Sequence, residues 1–224
     1  MAISDTTPAQ RATVHSAKPD TARSTEAERV LVRVALPADV ADLSALIARS
    51  ALHLSRGYYD EAQAAAASAE VFGVDTQLIA DGTYLVAEEA GVAVGCGGWS
   101  RRATLFGGDQ FAARDAALVD PATDAARIRA FFVDPAHARR GIATLLLQAC
   151  ERAARAAGFS RLALMATLPG VPFYRAHGFE PGDALDHHAG GVTIPFLSMT
   201  KELHDIPNER WTAAGQAERE TRTT

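Results

Sequence analysis

The chain is short of cysteine, of basic charge and of long apolar runs. Its 224 residues include two cysteines, Cys96 and Cys150. They stand in unrelated contexts without metal-ligand spacing, which argues against a disulfide framework or a zinc site and fits a reducing, cytoplasmic setting. Asp and Glu number 27 against 22 Lys and Arg, a net charge of −5. With no interleaving of basic and aromatic residues, that balance disfavours a nucleic-acid partner. No apolar run approaches the roughly 18 residues needed to cross a bilayer, and the first twenty residues hold no apolar core of a signal peptide. The expectation is a soluble protein with no membrane partner. Two glycine signatures are missing as well: G-x-G-x-x-G for dinucleotides, and a glycine loop ending in Gly-Lys-Ser/Thr.

What is present is ordinary globular composition, 48% apolar and 22% charged, enough for one domain. Residues 1–28 are rich in Ser, Thr, Ala and Pro without hydrophobic period and read as a flexible leader. Residues 204–224 read as a polar tail with Trp211 its one large anchor, which leaves 29–203 as the domain.

Within it, strand and helix patterns alternate. "RVLVRVAL" reads as a strand. "PADVADLSALIARSAL" reads as a helix, with Leu43, Leu46 and Ile47 at helical spacing. "DEAQAAAASAE" is a second helix carried by alanine propensity. "TYLVAEEAGVAVGCGGWS" reads as a hairpin turning at Glu89, Ala90 and Gly91. In "ARIRAFFVDP", Arg127 and Arg129 alternate with Ile128 and Ala130. Phe131, Phe132 and Val133 then break the alternation, which signals either burial on both faces or a bulge. "SRLALMAT" is a strand, "GVPFYRAH" a short helix, and two more strands fall near "GFEPGD" and "GVTIPFLSMTKEL". The order β-α-α-β-β-β-α-β-α-β-β implies an α/β or α+β sheet with helices on its faces.

One stretch carries chemistry. In "ARRGIATLLLQACERAARAAGF", Leu145, Leu146, Ala149, Cys150 and Ala153 follow Ile142 at helical spacing, which starts a helix just after Gly141. The first turn of a helix has unpartnered N–H groups and the positive end of the macrodipole, so it seats anions. Gly141 lets a ligand approach the backbone. Arg139 and Arg140 are either phosphate donors or a solvated face; at a helix start they oppose the dipole unless an anion is bound.

"VDPAHARRGIATLLL" and, further on, "FYRAHGF" resemble the acetyl-CoA site of the GNAT-type N-acetyltransferases over roughly Arg29 to Lys201. In that family an Arg/Gln-x-x-Gly-x-Gly/Ala loop holds the CoA pyrophosphate on backbone amides. Gly141 and Ala143 match its last two positions, whereas Ala138 replaces the usual Arg or Gln. The later helix often begins with Asn followed three residues on by Ala; here Thr167 and Gly170 stand there. The resemblance implies a mixed, mostly antiparallel sheet of six to seven strands, splayed into a V at the fourth and fifth, with helices on both faces. It implies acetyl-CoA as cosubstrate, no metal, and transfer of the acetyl group to a primary amine on a small molecule or peptide. Pairing of two copies through the C-terminal strands is common in the family. A non-catalytic acyl-CoA sensor on the same fold is the alternative.

The resemblance also implies roles. Cofactor contacts fall to Phe132 and Val133 along the pantetheine arm, to Arg139, Arg140, Gly141, Ile142, Ala143 and Thr144 at the pyrophosphate, and to Thr167. Tyr174 is the candidate general acid for the departing thiolate; the alternative is a ring packed with Phe173 and Phe179. Full proton transfer from a free tyrosine to a free thiolate is uphill by about 2 kcal/mol in water, a gap that desolvation of the thiolate narrows. Making a lysine-like amine neutral at pH 7 costs about 4.6 kcal/mol, so a base, desolvation or a water relay is required. Arg127 falls where some members carry a glutamate base, leaving Glu88, Glu89, His187 and His188 as fallbacks. Acceptor contacts point to Tyr58, Tyr59, Trp99, Arg101 and Arg102, and the 104–125 connection is long enough to be a lid.

Overall fold

The computed structural model describes residues 29–111 and 114–204. The leader (1–28), and the tail beyond residue 204 with Trp211, lie outside them. Seven strands form one sheet: β1 (Leu31–Val34), β2 (Tyr84–Glu89), β3 (Val92–Ser100), β4 (Ala126–Val133), β5 (Arg161–Thr167), β6 (Glu180–Ala189) and β7 (Val192–Glu202), in the order β1-β2-β3-β4-β5-β7-β6. Every neighbouring pair is antiparallel except β4 with β5. The β2–β3 turn falls on Ala90 and Gly91, both at positive φ (50° and 79°), the geometry whose twist suits a two-residue hairpin.

Among the described residues five α-helices complete the fold: α1 (Val40–Leu54), α2 (Glu61–Glu70), α3 (Thr76–Ala80), α4 (Ile142–Ala156) and α5 (Val171–Ala176). Helix α1 buries Leu43, Leu46 and Ile47 on one side of the sheet, with Leu78 and Ile79 of α3 and with Tyr84, Val86 and Cys96. Asp60 caps α2 by accepting from Gln63 N at 2.8 Å, and the Gln63 side chain accepts from Asp60 N in return. That reciprocal cap fixes the start of a helix that alanine propensity alone leaves marginal.

Helix α4 covers the opposite side, through Ile142 and Leu146 against Ala87 and Val94, and Leu147, Cys150 and Ala154 against Ile128, Leu162 and Leu164. Its apolar stripe differs from the expected one: Leu145 is 41% exposed and Leu147 is fully buried. Three consecutive leucines span too wide an arc for one face. The stripe Ile142, Leu146, Cys150 and Ala154, at four-residue steps, takes Leu147 in and turns Leu145 out. The short α3 had no hydrophobic period by which to find it. Among the described residues no helix is long and apolar enough to cross a membrane.

The sheet opens in its middle. Strands β4 and β5 pair only at Ala126 with Leu162 and Arg127 with Ala163, then part. On the other side of β4 the register runs Cys96 to Phe132 and Gly98 to Arg129, so β4 carries one extra residue and bulges. Ala130 sits at φ +54° in that bulge. Gly97 makes it possible: a Cβ there would come within 2.6 Å of the Phe131 ring. Of the two explanations for the broken alternation, the bulge is the one present.

Candidate active site

The opening between β4 and β5 continues into a cavity of about 620 Å³. At one end is the start of α4. Gly141 is its N-cap residue at φ +82°, preceded by Arg139 at φ +64°. A Cβ on Gly141 would meet nothing within 4 Å, so this turn faces open space. Arg139, Gly141, Ile142, Ala143 and Thr144 all line the cavity. Ala138 also lines it, but brings no donor to the side chain.

Arg140 turns elsewhere. Its guanidinium makes a two-pronged pair with Glu89, at 2.6 and 2.9 Å, and it is not among the lining residues. Glu89 thereby supplies the acid that the helix start lacks in sequence. The Arg140 hydrogen bonds hold the Glu89 carboxyl below its usual range, so it is a carboxylate already committed to a partner. Glu88 pairs with Arg33, His188 bonds Thr193, and His187 packs on Phe106 and Phe111. None of the four fallback bases lines the cavity; among the described lining residues there is no Asp, Glu, His or Lys.

The middle of the cavity runs between the split strands. Ile128 to Val133 form one wall, Met165, Thr167 and the 169–170 turn the other, and Phe173, Tyr174 and Ala176 of α5 close it. Tyr174 is 9% exposed, and its ring meets Phe173 at 5.1 Å, Phe179 at 5.4 Å and Phe131 at 6.5 Å. The core ring and the candidate acid are therefore the same side chain: packed on three sides, yet on the cavity wall. Burial, helped by neighbouring Cys150, pushes its hydroxyl pKa well up, so the group stays protonated.

Sequence reading did not find His177. Its Nδ1 lies 2.8 Å from the Phe173 carbonyl and its Nε2 3.0 Å from Thr144 Oγ1. A carbonyl only accepts, so Nδ1 carries a proton, and in neutral His177 the Nε2 accepts from the Thr144 hydroxyl. This bond ties the first turn of α4 to the helix that carries Tyr174.

At the far end lie Tyr59, Val71, Phe72, Gly73, Phe196 and the segment 105–108. Of the five expected acceptor contacts, Tyr59 alone is on this wall. Its hydroxyl donates to Pro195 O at 2.8 Å and accepts from Leu168 N at 3.0 Å. Tyr58 is half exposed and Arg101 exposed, both off the lining. Trp99 packs edge-on to Phe159 in the core, centroids 6.2 Å apart. Arg102 forms a two-pronged pair with Asp81 at 2.6 and 2.7 Å and donates to Ala116 O, tethering the long connection to α3. That connection also reaches the cavity: Gly108 N bonds Val71 O, and Phe106 to Gly108 form part of the wall.

Arg129 also went unnoticed as a site residue. Its side chain is 1% exposed, with Nη2 at 2.6 Å from both Asp75 Oδ2 and the Gly107 carbonyl. Asp75, fully buried, also takes Arg114 Nη2 at 2.6 Å. Burial lowers the Arg129 pKa and Asp75 acts against that shift. The signal was legible: an arginine two places from another in a strand otherwise destined for the core must find a buried partner.

An open sheet split between two parallel strands, with a helix N-terminus at the mouth of the split, is the arrangement the opening resemblance implied. The chain belongs to the acetyltransferase (GNAT) family, whose model matches residues 49–179, more than half of it. No curated protein matches it. Solved structures do. A GCN5-related N-acetyltransferase from Rhodopseudomonas palustris is 25% identical, with TM-score 0.57 over 78% of this chain and 96% of that one. The PaiA N-acetyltransferase of Thermoplasma acidophilum, solved with coenzyme A, is 14% identical with TM-score 0.54 over 78% and 99%. The yncA protein of Salmonella typhimurium, solved with acetyl-CoA, is 19% identical with TM-score 0.53 over 80% and 96%.

Proposed function

We propose that this protein is an acetyl-CoA-dependent N-acetyltransferase that passes the acetyl group directly to a primary amine. One observation carries the reading. A single cavity joins the open first turn of α4, through the gap between β4 and β5, to Tyr174 and on to an aromatic chamber. The residues suit the cosubstrate. Arg139 and the backbone amides from Gly141 to Thr144 hold its pyrophosphate, aided by the helix dipole. The β4 edge at Phe132 and Val133 lies along its arm, and Thr167 lines the opposite wall. Bound there, acetyl-CoA supplies a thioester-activated acetyl group.

The protein's own groups do the rest. The Ala130–Phe131 bulge leaves backbone without a cross-strand partner at the split, where an N–H polarises a carbonyl. Tyr174 holds a proton at Oη for the leaving sulfur. Neither cysteine lines the cavity, and burial pushes the Cys96 thiol up to about 12 and Cys150 higher, so neither serves as an acyl carrier. With no thiol to carry the acetyl group, transfer is direct in this reading. The amine has no carboxylate to take its proton, so desolvation and a water path take that part.

The test is release of free thiol from acetyl-CoA across a panel of primary amines, beside direct titration of CoA. Amine-dependent release supports the reading. Tight CoA binding without release on any amine would replace it with the acyl-CoA sensor.

A further inference from the structure

The acceptor chamber has a charge pattern of its own. Two residues with charged side chains, Arg139 and Arg129, line the cavity among the described residues, one towards each end, and no carboxylate residue does; the Arg129 side chain itself is 1% exposed. The phosphates of CoA answer Arg139 in the proposed reading. Arg129 is incompletely answered. Asp75, its carboxylate partner, is shared with Arg114, and the Arg129 Nε and Nη1 have no hydrogen-bond partner. Unpaired donors on a buried guanidinium are costly, and a guanidinium edge matches the two oxygens of a carboxylate. Around it the chamber is apolar, through Val71, Phe72, Phe106, Met165 and Phe196.

We infer that the acceptor is an amine with an apolar body and a single carboxylate, of the kind found in hydrophobic amino acids, and that Arg129 reads the carboxylate. The inference rests on the transferase reading and names its substrate class. Both free nitrogens are shielded from solvent in the described state, so the Gly107–Gly108 backbone, bonded to Arg129 through the Gly107 carbonyl, yields as the carboxylate enters. The same pattern excludes polyamines and aminoglycosides, whose several ammonium groups find no carboxylate here. It also helps the chemistry: apolar walls favour the neutral form of a bound amine, in a site that has no carboxylate base.

The experiment is calorimetric titration of the full chain, with and without CoA, using L-phenylalanine against 2-phenylethylamine, L-leucine against 3-methylbutylamine, and spermidine. The carboxylate member of each pair is expected to bind at least about tenfold more tightly, the scale of a charged hydrogen bond, with spermidine weakest. In Arg129→Gln that ratio falls towards one. If this variant does not fold, the wild-type ratios still decide. Equal binding within pairs, spermidine binding tightest, or no binding by either amino acid overturns the inference. Carboxylate preference without thiol release keeps Arg129 as the reader of a carboxylate ligand and defeats the transferase reading. Thiol release without carboxylate preference does the reverse.

Discussion

The Tyr84 hydroxyl lies 3.2 Å from the carbonyl oxygen of Ala130 and 3.3 Å from Cys96 Sγ. A fully buried side chain on β2 thus reaches across β3 to grip the bulge on β4. Ala130 there is in the left-handed region, which costs a non-glycine residue about 1–2 kcal/mol and persists only if its surroundings enforce it. Tyr84→Phe keeps the packing and removes the grip. Stability should fall by about 1 kcal/mol in urea denaturation. In steady-state kinetics kcat should drop severalfold while acetyl-CoA affinity holds. A variant with full stability and turnover would mean that the bulge is held by strand pairing alone.

Tyr174 gives a cleaner separation. Its three ring neighbours stay in contact with a phenylalanine, so Tyr174→Phe removes only the hydroxyl. Loss of a general acid lowers turnover by about 100-fold or more. Direct titration should find acetyl-CoA affinity within about twofold of wild type, well inside the 1.4 kcal/mol that marks a tenfold change. Weakened binding with intact turnover would make Tyr174 a contact residue instead.

The elements that the sequence revealed are those with a period or a motif. All seven strands and the four longer helical patterns were visible, as was the helix start at Gly141. The acceptor wall was not, for a physical reason. Most of β3 is covered on both faces, so its residues show no alternation, and nothing in "GCGGWSRR" says that Trp99 turns to Phe159 while Gly97 lies under Phe131. Arg102 and Arg140 looked like ligands in waiting because their partners, Asp81 and Glu89, are 21 and 51 residues away. A pattern local to one segment carries no trace of such pairings. Arg129 is the opposite case: its place in a core strand demanded a buried partner, and Asp75 is that partner.

Gly141 separates strain from binding. Any side chain there must adopt φ +82°, yet its Cβ meets no atom within 4 Å. Gly141→Ala and Gly141→Ile should therefore lose similar stability, about 1–2 kcal/mol, from the backbone alone. Only the branched chain screens the amides of the first α4 turn. CoA affinity should fall at least about tenfold further for Ile than for Ala by calorimetry. Equal affinities would return this turn to an ordinary helix start.

The two thiols make stability depend on alkaline pH. Cys96 and Cys150 are fully buried, and burial is the main cause of both raised pKa values, Cys96 to about 12. An unfolded chain ionises its thiols near 8.5, with thiolate outnumbering thiol about three to one at pH 9. Between about pH 9 and 12 the unfolded state then binds fewer protons than the folded one, so stability falls as pH rises. Each thiol contributes a slope of about 1.4 kcal/mol per pH unit. Below pH 8 both states are protonated and the slope vanishes. Urea unfolding from pH 7 to 10.5 should show a plateau followed by a decline of about 3 kcal/mol per unit from the pair. Cys150→Ala should start from lower stability yet decline about half as steeply, since one titrating group is gone. A decline of unchanged steepness would assign the alkaline sensitivity to the buried tyrosines, whose raised pKa values act in the same direction from about pH 10 upward.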